Sequence, residues 1–379
     1  MTGTVLRGGE VFDPVARSFA TGDLRIADGV IADGPPLNDD LVVDVTGCLV
    51  LPGLVDLHTH VFDGQDLGLV ADTIAPPSGT TTLVDTGSAG AHLLGAFRSV
   101  VDRSDTRIRA FLNIASVGTT SILLGGELKS PHYANEDVAV EAIEANRDLV
   151  IGVKVRASFD VGGEHAAEAL RRARRVADRV GLPLMVHLGP APATIDEIAG
   201  MLQRGDILTH AFTGWAENAI VADGALRPSV RAARQRGVLL DIGHGMSGFS
   251  LDVARIMLSL GEPPDTISTD LHAYSRTLVV DLPTVLSKFL ALGMPLPDVL
   301  VAATVTPARA AGLDTLGIGT LQPGAPGDVA VLRIVPGTVE YVDSFGGAVT
   351  GSERLECMVT IAGGTVVFDR DGRASGAPA

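Results

Sequence analysis

Residues 51–60 read LPGLVDLHTH, an apolar segment that ends in two histidines separated by one residue. Because side chains alternate between the two faces of a strand, His58 and His60 would project from the same face. Seven further apolar segments follow, on average about 30 residues apart, which is the length of one strand–helix–strand unit. Their sequences are TTTLVDTG, IRAFLNIA, LVIGVKVRAS, PLMVHLG, DILTHAF, VLLDIGHG and TISTDLHA.

Amphipathic stretches that predict helices separate most of these segments, for example residues 164–180 and 250–260. Eight apolar strands with crossovers fit a closed barrel of parallel strands whose two faces are both covered. An open, doubly wound sheet has the same periodicity and is the alternative. The flanking segments instead alternate apolar and polar residues around Gly-Gly, Asp-Gly and Thr-Gly. We therefore predict an α/β chain with a (β/α)8 barrel over residues 51–312 and a small β domain from residues 1–50 plus 313–379.

Composition restricts the class of protein. The 379 residues are 46% hydrophobic and 20% charged, which is typical of a globular chain. The formal net charge of −16 disfavours nucleic acid and anionic membranes as partners. Two cysteines, Cys48 and Cys357, are too few for a disulfide framework or a cysteine-based zinc module. The sequence has neither the basic start and apolar core of a secretory signal nor an apolar run long enough to span a membrane, so the chain is expected in the cytoplasm. A small molecule is the expected partner, and a homo-oligomer is compatible with these features.

Polar residues that bind metals in other proteins end five of the eight predicted strands. In a parallel barrel the carboxyl ends of the strands converge on one mouth, so these side chains would share a pocket. Imidazole and carboxylate are ligands that divalent metals such as Zn²⁺ bind. The residues are His58, His60, Lys154, His187, His210 and Asp270. Each alone has an ordinary structural interpretation, such as a packed histidine or a helix N-cap, but their joint order favours a metal site.

Lys154 is the unusual member of this set, and it is one of only three lysines in the chain. Neighbouring metal ions and poor solvation would depress the pKa of its amine. A neutral amine can add CO₂ to form a carbamate, which is negatively charged and offers two oxygens to bridge two metals. The sequence therefore predicts two Zn²⁺ ions per subunit and a CO₂-derived carbamate on Lys154.

The order His-x-His, Lys, His, His, Asp resembles the amidohydrolase superfamily, as do LPGLVDLHTH at the start of the predicted barrel and GTLQPGAPGDVAVLRI after it. The segments GTTTLVDTGSAGA, FLNIASVG, GVKVRAS and DIGHGMSGFS are similar to its deacetylase branch, which is close to dihydroorotase and hydantoinase. The resemblance implies a TIM barrel with a small β-sandwich domain formed by both termini.

The resemblance also implies a role for each ligand. The two histidines of LPGLVDLHTH would hold the more buried metal. His187 and His210 would hold the more exposed metal, and carboxylated Lys154 would bridge the two. Asp270 would bind the buried metal and act as the catalytic base.

By this resemblance the protein is expected to be a binuclear zinc hydrolase. It would remove an acetyl group from an α-acyloxy or α-acylamino carboxylate through attack of a metal-bridging hydroxide. A cyclic amide hydrolase of the dihydroorotase or hydantoinase type would use the same metal chemistry and is the alternative. A non-catalytic scaffold is a third interpretation, although such relatives typically lack ligands and this chain has all six.

Two further residues are candidates for substrate binding. Arg156 follows Lys154 by two positions on the same strand face, where its guanidinium could bind a carboxylate through two hydrogen bonds. An ion pair with a neighbouring acid is the other interpretation of Arg156. His244 lies in the segment DIGHGMSGFS, whose glycines at positions 243, 245 and 248 would let the backbone approach a ligand closely.

Overall fold

A computed structural model describes residues 3–374 of the chain. Two larger sheets and one short hairpin contain its strands. In chain order the strands are β1 (Thr4–Asp13), β2 (Ser18–Ala27), β3 (Val30–Ile31), β4 (Leu41–Asp44), β5 (Leu49–Pro52), β6 (Leu54–Thr59), β7 (Thr80–Gly90), β8 (Arg107–Asn113), β9 (Val150–Arg156), β10 (Leu184–His187), β11 (Ile207–Thr209), β12 (Val221–Ala222), β13 (Ala225–Leu226), β14 (Leu239–Leu240), β15 (Val329–Val342), β16 (Ala348–Ala362) and β17 (Thr365–Asp369).

Helices separate most strands of the middle region and begin where the sequence supplies a cap. Thr194 and Glu197 form a capping box at the start of α6, which satisfies backbone N–H groups that the first turn leaves free. The helices are α1 (Ala71–Ile74), α2 (Leu94–Val101), α3 (Glu136–Glu144), α4 (Phe159–Gly162), α5 (Ala166–Val180), α6 (Ile195–Met201), α7 (Pro228–Arg236), α8 (Leu251–Ser259), α9 (Arg276–Val279), α10 (Leu282–Ala291), α11 (Leu296–Val301) and α12 (Val305–Ala310). Within residues 3–374, no helix combines the length and the apolar character that a membrane span needs.

The central sheet is parallel and curled, with seven strands in the order β14-β11-β10-β9-β8-β7-β6. Residues 266–271 stand where an eighth strand is predicted, and they bridge both edges of the sheet. One parallel bridge joins Thr266 to Asp241 next to β14, and another joins Leu271 to Thr59 in β6. The spatial order follows the chain order, whereas a doubly wound sheet starts from an interior strand. The doubly wound alternative is therefore wrong.

Strands from both ends of the chain share a second, mixed sheet of eight strands. Its order is β17-β16-β15-β5-β1-β2-β3, and β4 pairs with β1. Apolar side chains of these strands form a core of their own that includes Leu6, Ile26, Val331 and Ile361. All eight strands belong to one connected sheet, whereas a sandwich consists of two packed sheets, so the predicted β-sandwich is not confirmed. The domain boundaries also stay a prediction.

The long hairpin of β15 and β16 reaches the carboxyl end of the central sheet. Its turn, residues 343–347, packs on the segment that follows β14. The backbone N–H of Ser344 donates to the carbonyl of Phe249 (3.1 Å), and the N–H of Leu251 donates to Asp343 Oδ2 (2.7 Å). The terminal sheet thereby fixes the position of the glycine-rich segment next to the candidate site.

Candidate metal centre

All six predicted ligands line one buried cavity at the carboxyl ends of the central strands. His58 belongs to β6, Lys154 to β9 and His187 to the last position of β10. His60 and His210 follow the ends of β6 and β11, so every one of these side chains reaches the same mouth. The cavity is lined by His58, His60, Leu67, Thr86, Thr119, Ile122, Lys154, Arg156, His187, His210 and Asp270.

The Asp270 carboxylate lies between the first two histidines. Its Oδ1 is 3.3 Å from His58 Nε2 and 3.2 Å from His60 Nε2. Lys154 approaches the same cluster, with its Nζ 3.4 Å from His58 Nε2. These side chains therefore present their donor atoms to a common volume, as ligands of metal ions do.

A second pair of rings completes the cluster. The ring centroids of His187 and His210 are 4.4 Å apart, and those of His58 and His210 are 5.0 Å apart. One ligand atom each from His58, His210 and Asp270 lies within 4.8 Å of the others, a spacing that could hold a metal ion. His210 and Asp270 both have left-handed backbone, with φ of 58° and 49°, which is strained for residues other than glycine.

A hydrogen-bonded chain sets the orientation of the His58 ring. Thr209 Oγ1 donates its single proton to Asp241 Oδ2 (2.7 Å), so it accepts from His58 Nδ1 at 2.8 Å. The proton of the neutral ring is therefore on Nδ1, and Nε2 keeps its lone pair for the cavity. Such outer partners are common behind metal-binding histidines.

Two other histidines have similar supports. His210 Nδ1 donates to the carbonyl of Gly243 (2.6 Å), which leaves Nε2 as the free acceptor. His60 Nδ1 lies 2.8 Å from Ser88 Oγ. Sequence reasoning did not identify Thr209, Ser88 or the Gly243 carbonyl, although Thr209 directly precedes a predicted ligand.

Burial makes the histidines and Lys154 harder to protonate. It lowers the pKa of His60 and of His210 to about 4, with smaller electrostatic contributions from neighbours. It also lowers the pKa of Lys154 to about 7, against the opposing attraction of Asp270. At neutral pH the histidines can donate lone pairs, and a large fraction of Lys154 is a free amine.

One polar atom of the cavity has no protein partner. Thr86 is 1% exposed, and its Oγ1 makes no hydrogen bond within the described chain. Buried hydroxyl groups are nearly always hydrogen-bonded, so an orphaned one in a cavity indicates a place for a ligand atom. The Lys154 side chain lies next to this part of β7. A Cβ built on Gly87, the residue after Thr86, would be only 2.9 Å from Lys154 Cγ.

The glycine-rich segment approaches the ligands themselves. A Cβ at Gly243 would lie 2.9 Å from His58 Nδ1, and one at Gly245 would lie 2.0 Å from Asp270 Oδ2. Both glycines have φ of +47°, so backbone conformation and close approach require glycine here. The sequence predicted that these glycines let the backbone approach a bound substrate closely, and this stays a prediction. In the structure the glycines lie against the side chains of the candidate metal ligands.

The two candidate substrate residues differ in position. Arg156 lines the cavity, and it also pairs with the buried Glu127. His244 is fully buried, and it is absent from the cavity lining. Its Nε2 lies 2.8 Å from Lys288 Nζ, and its Nδ1 lies 3.0 Å from the carbonyl of Gly245. The structure thus brings Arg156 to the ligands and leaves a substrate contact of His244 as a prediction only.

Comparison with known protein families identifies the family to which the chain belongs. The model of the amidohydrolase family matches residues 49–351. The chain belongs to the amidohydrolase family. A deacetylase of Brucella anthropi is 36% identical over 340 residues, covering 88% of this chain and 84% of the relative. A deacetylase of Agrobacterium fabrum is 36% identical over 307 residues, covering 80% and 75%.

Solved structures agree with this assignment. A crystal structure of a dihydroorotase has a TM-score of 0.88 and 31% identity, covering 97% of this chain and 98% of its own. A crystal structure of an adenine deaminase has a TM-score of 0.89 and 27% identity, covering 98% and 100%. The family membership predicted from the six-residue order is confirmed, and this amidohydrolase is a hydrolytic enzyme.

Proposed function

We propose that this amidohydrolase is a zinc-dependent deacetylase acting on an α-acyloxy or α-acylamino carboxylate. The observation that carries this proposal is a single buried cavity lined both by the six candidate ligands and by Arg156. A guanidinium next to a metal cluster suits a substrate that has a carboxylate beside its scissile acyl group. Relatives named deacetylase support the acyl class.

The residues present fit two zinc ions joined by a carbamate. The tautomers of His58 and His210 leave the Nε2 lone pairs free to bind a metal. Lys154 has the lowered pKa that CO₂ addition needs, and the Thr86 hydroxyl has no hydrogen-bond partner within the described chain. His58, His60 and Asp270 would hold one ion, His187 and His210 the other, and carboxylated Lys154 both. When bound, such ions lower the pKa of water and polarise a carbonyl.

The chain's own residues would orient the substrate and move the proton. Arg156 binds the carboxylate, which places the acetyl carbonyl against the cluster. Asp270 accepts a proton from the attacking water and gives it to the departing oxygen or nitrogen, so that the acyl C–O or C–N bond breaks and acetate is released. Because residue 245 is a glycine, no side chain at this position separates the Asp270 carboxylate from the cavity.

Acetate release from a panel of acetylated acids tests the proposal. The panel contains O-acetyllactate and N-acetylalanine in both configurations, with dihydroorotate and hydantoin as substrates of the alternative reaction. We expect acetate release that a chelator abolishes and that Zn²⁺ with bicarbonate restores. Ring opening of dihydroorotate or hydantoin without acetate release would favour the cyclic amide hydrolase instead.

The Asp270→Asn variant separates catalysis from metal binding. An asparagine keeps an oxygen donor of the same size but is not a base. We expect at least about a hundredfold lower acetate release, within the usual range for general base removal. Zinc content measured on the same sample shows how much of this loss comes from a vacated site. A fully loaded variant with wild-type turnover would contradict the assignment of Asp270 as the base.

A further inference from the structure

A buried carboxylate outside the ligand set faces the cavity arginine. Glu127 lies in the segment between β8 and α3, and its side chain is 4% exposed. Arg156 Nη1 donates to Glu127 Oε1 at 2.9 Å. Since charges are rarely buried without a partner, this pair forms a fixed unit in the wall of the site.

The segment that contains Glu127 also forms part of the cavity. Thr119 and Ile122 line it directly. The backbone N–H of Leu128 donates to the carbonyl of Val161, which ties the end of this segment to the helix after β9 (3.2 Å). Glu127 is therefore held on a wall element of the cavity rather than on a free loop.

The other acid near the guanidinium is a much weaker partner. Asp160 Oδ2 is 3.9 Å from Arg156 Nη2, and its side chain is 61% exposed. An exposed pair at this distance does little to fix a guanidinium. The Arg156 side chain is 11% exposed, so its orientation depends on the buried contact with Glu127.

We propose that Glu127 is a positioning residue that aims the Arg156 guanidinium at the carboxylate of the substrate. Arginine has five N–H donors in a planar fork, so a hydrogen bond from Nη1 to Glu127 restrains the guanidinium and leaves donors for a second carboxylate. This inference rests on the proposed function, because it deepens the binding of an α-substituted carboxylate at the same site.

Substrates with and without the negative charge separate positioning from a general structural role. O-acetyllactate and N-acetylalanine are compared with the same compounds in which a primary amide replaces the carboxylate. In Glu127→Ala we expect KM for the acids to rise about tenfold or more, while kcat and the values for the amides stay within about threefold. Glu127→Gln keeps an oxygen acceptor and should recover most of the binding.

Asp160→Asn is the matched control, because it removes the exposed acid near the same guanidinium. Its KM values should equal those of the wild type. Equal changes for acids and amides in Glu127→Ala, or unchanged values for both, would overturn the positioning role. Melting temperature and zinc content show whether the fold and the cluster persist in each variant.

A binding measurement keeps this inference separate from the proposed activity. Calorimetric titration of the zinc-loaded protein with lactate and alanine, the deacetylated acids, needs no turnover. Weaker binding in Glu127→Ala than in Asp160→Asn supports the positioning role even if acetate release is absent in every sample. Equal binding in the two variants, or no binding to the wild type, would overturn it.

Discussion

The hydrogen bond behind His58 allows a sharp test of the candidate metal centre. Thr209→Val replaces a buried hydroxyl with a methyl group of the same shape. His58 Nδ1 then loses its acceptor at 2.8 Å, and Asp241 Oδ2 loses a donor at 2.7 Å. The His58 ring is no longer held in the tautomer and orientation that present Nε2 to the cavity.

The size of the effect follows from the role of the lost contact. Removing an outer partner of a metal-binding histidine typically lowers metal affinity about 10- to 100-fold. That factor corresponds to about 1.4–2.8 kcal/mol of binding free energy. Independently, the unpaired buried groups lower the free energy of unfolding by about 1–3 kcal/mol. Zinc affinity is measured by competition with a chromophoric chelator, and stability by urea unfolding of the metal-free protein.

Thr266→Val supplies the matched control. Thr266 is also fully buried and also donates to Asp241, at 2.6 Å to Oδ1, but it does not touch His58. Both variants should lose stability, whereas only Thr209→Val should lose zinc affinity. The reasoning is refuted if the two variants bind zinc equally well, because the His58 contact would then have no part in metal binding.

Three further changes test other features of the site. Gly243→Ala places a Cβ 2.9 Å from His58 Nδ1 and should weaken zinc retention, while Gly224→Ala, with φ of +74° and open space around it, should cost only about 1–2 kcal/mol of stability in urea unfolding. The metal-free enzyme is reconstituted with bicarbonate and Zn²⁺ at fixed dissolved CO₂, and the rate is measured against pH. The rate should rise about tenfold per pH unit below 7 and level off above it. The reason is that the neutral form of Lys154 dominates above its pKa of about 7. A rise that continues to pH 10 would contradict the lowered pKa. Thr86→Val should lower zinc affinity about tenfold without destabilising the metal-free protein, since the hydroxyl has no hydrogen bond to lose there, and chelator competition with urea unfolding checks both.

Periodicity predicted the regular part of the fold closely. The stretch 164–180 contains α5 (Ala166–Val180), and 250–260 contains α8 (Leu251–Ser259). The apolar segments from VDLHTH to DILTHAF each overlap a strand of the central sheet. These elements are determined by local patterns, in which one apolar face or a continuous apolar run suffices.

The last two predicted strands, VLLDIGHG and TISTDLHA, are less regular than the others. In them, hydrogen bonds of polar side chains replace part of the backbone hydrogen bonding between neighbouring strands. Only Leu239–Leu240 of VLLDIGHG is a strand, and the next residue, Asp241, accepts hydrogen bonds from the hydroxyls of Thr209, Thr266 and Ser268. In TISTDLHA the left-handed backbone of Asp270 is incompatible with a strand. Sequence periodicity cannot show these contacts, because they join residues that are 25 or more positions apart.

The same distance in sequence explains which site residues could be predicted. The ligands share a chemical type and a position at strand ends, so their pattern is visible in one dimension. Their partners are ordinary residues, such as a threonine 151 positions from His58 or a glutamate 29 positions from Arg156. The lowered pKa of Lys154, the strained backbone of Asp270 and the orphaned Thr86 hydroxyl all cost stability in the metal-free chain. A carbamate on Lys154 would replace the buried amine, and a metal cluster bound in the cavity would give the Thr86 hydroxyl a partner. Both costs therefore add support to the proposal that the cavity serves metal-dependent hydrolysis.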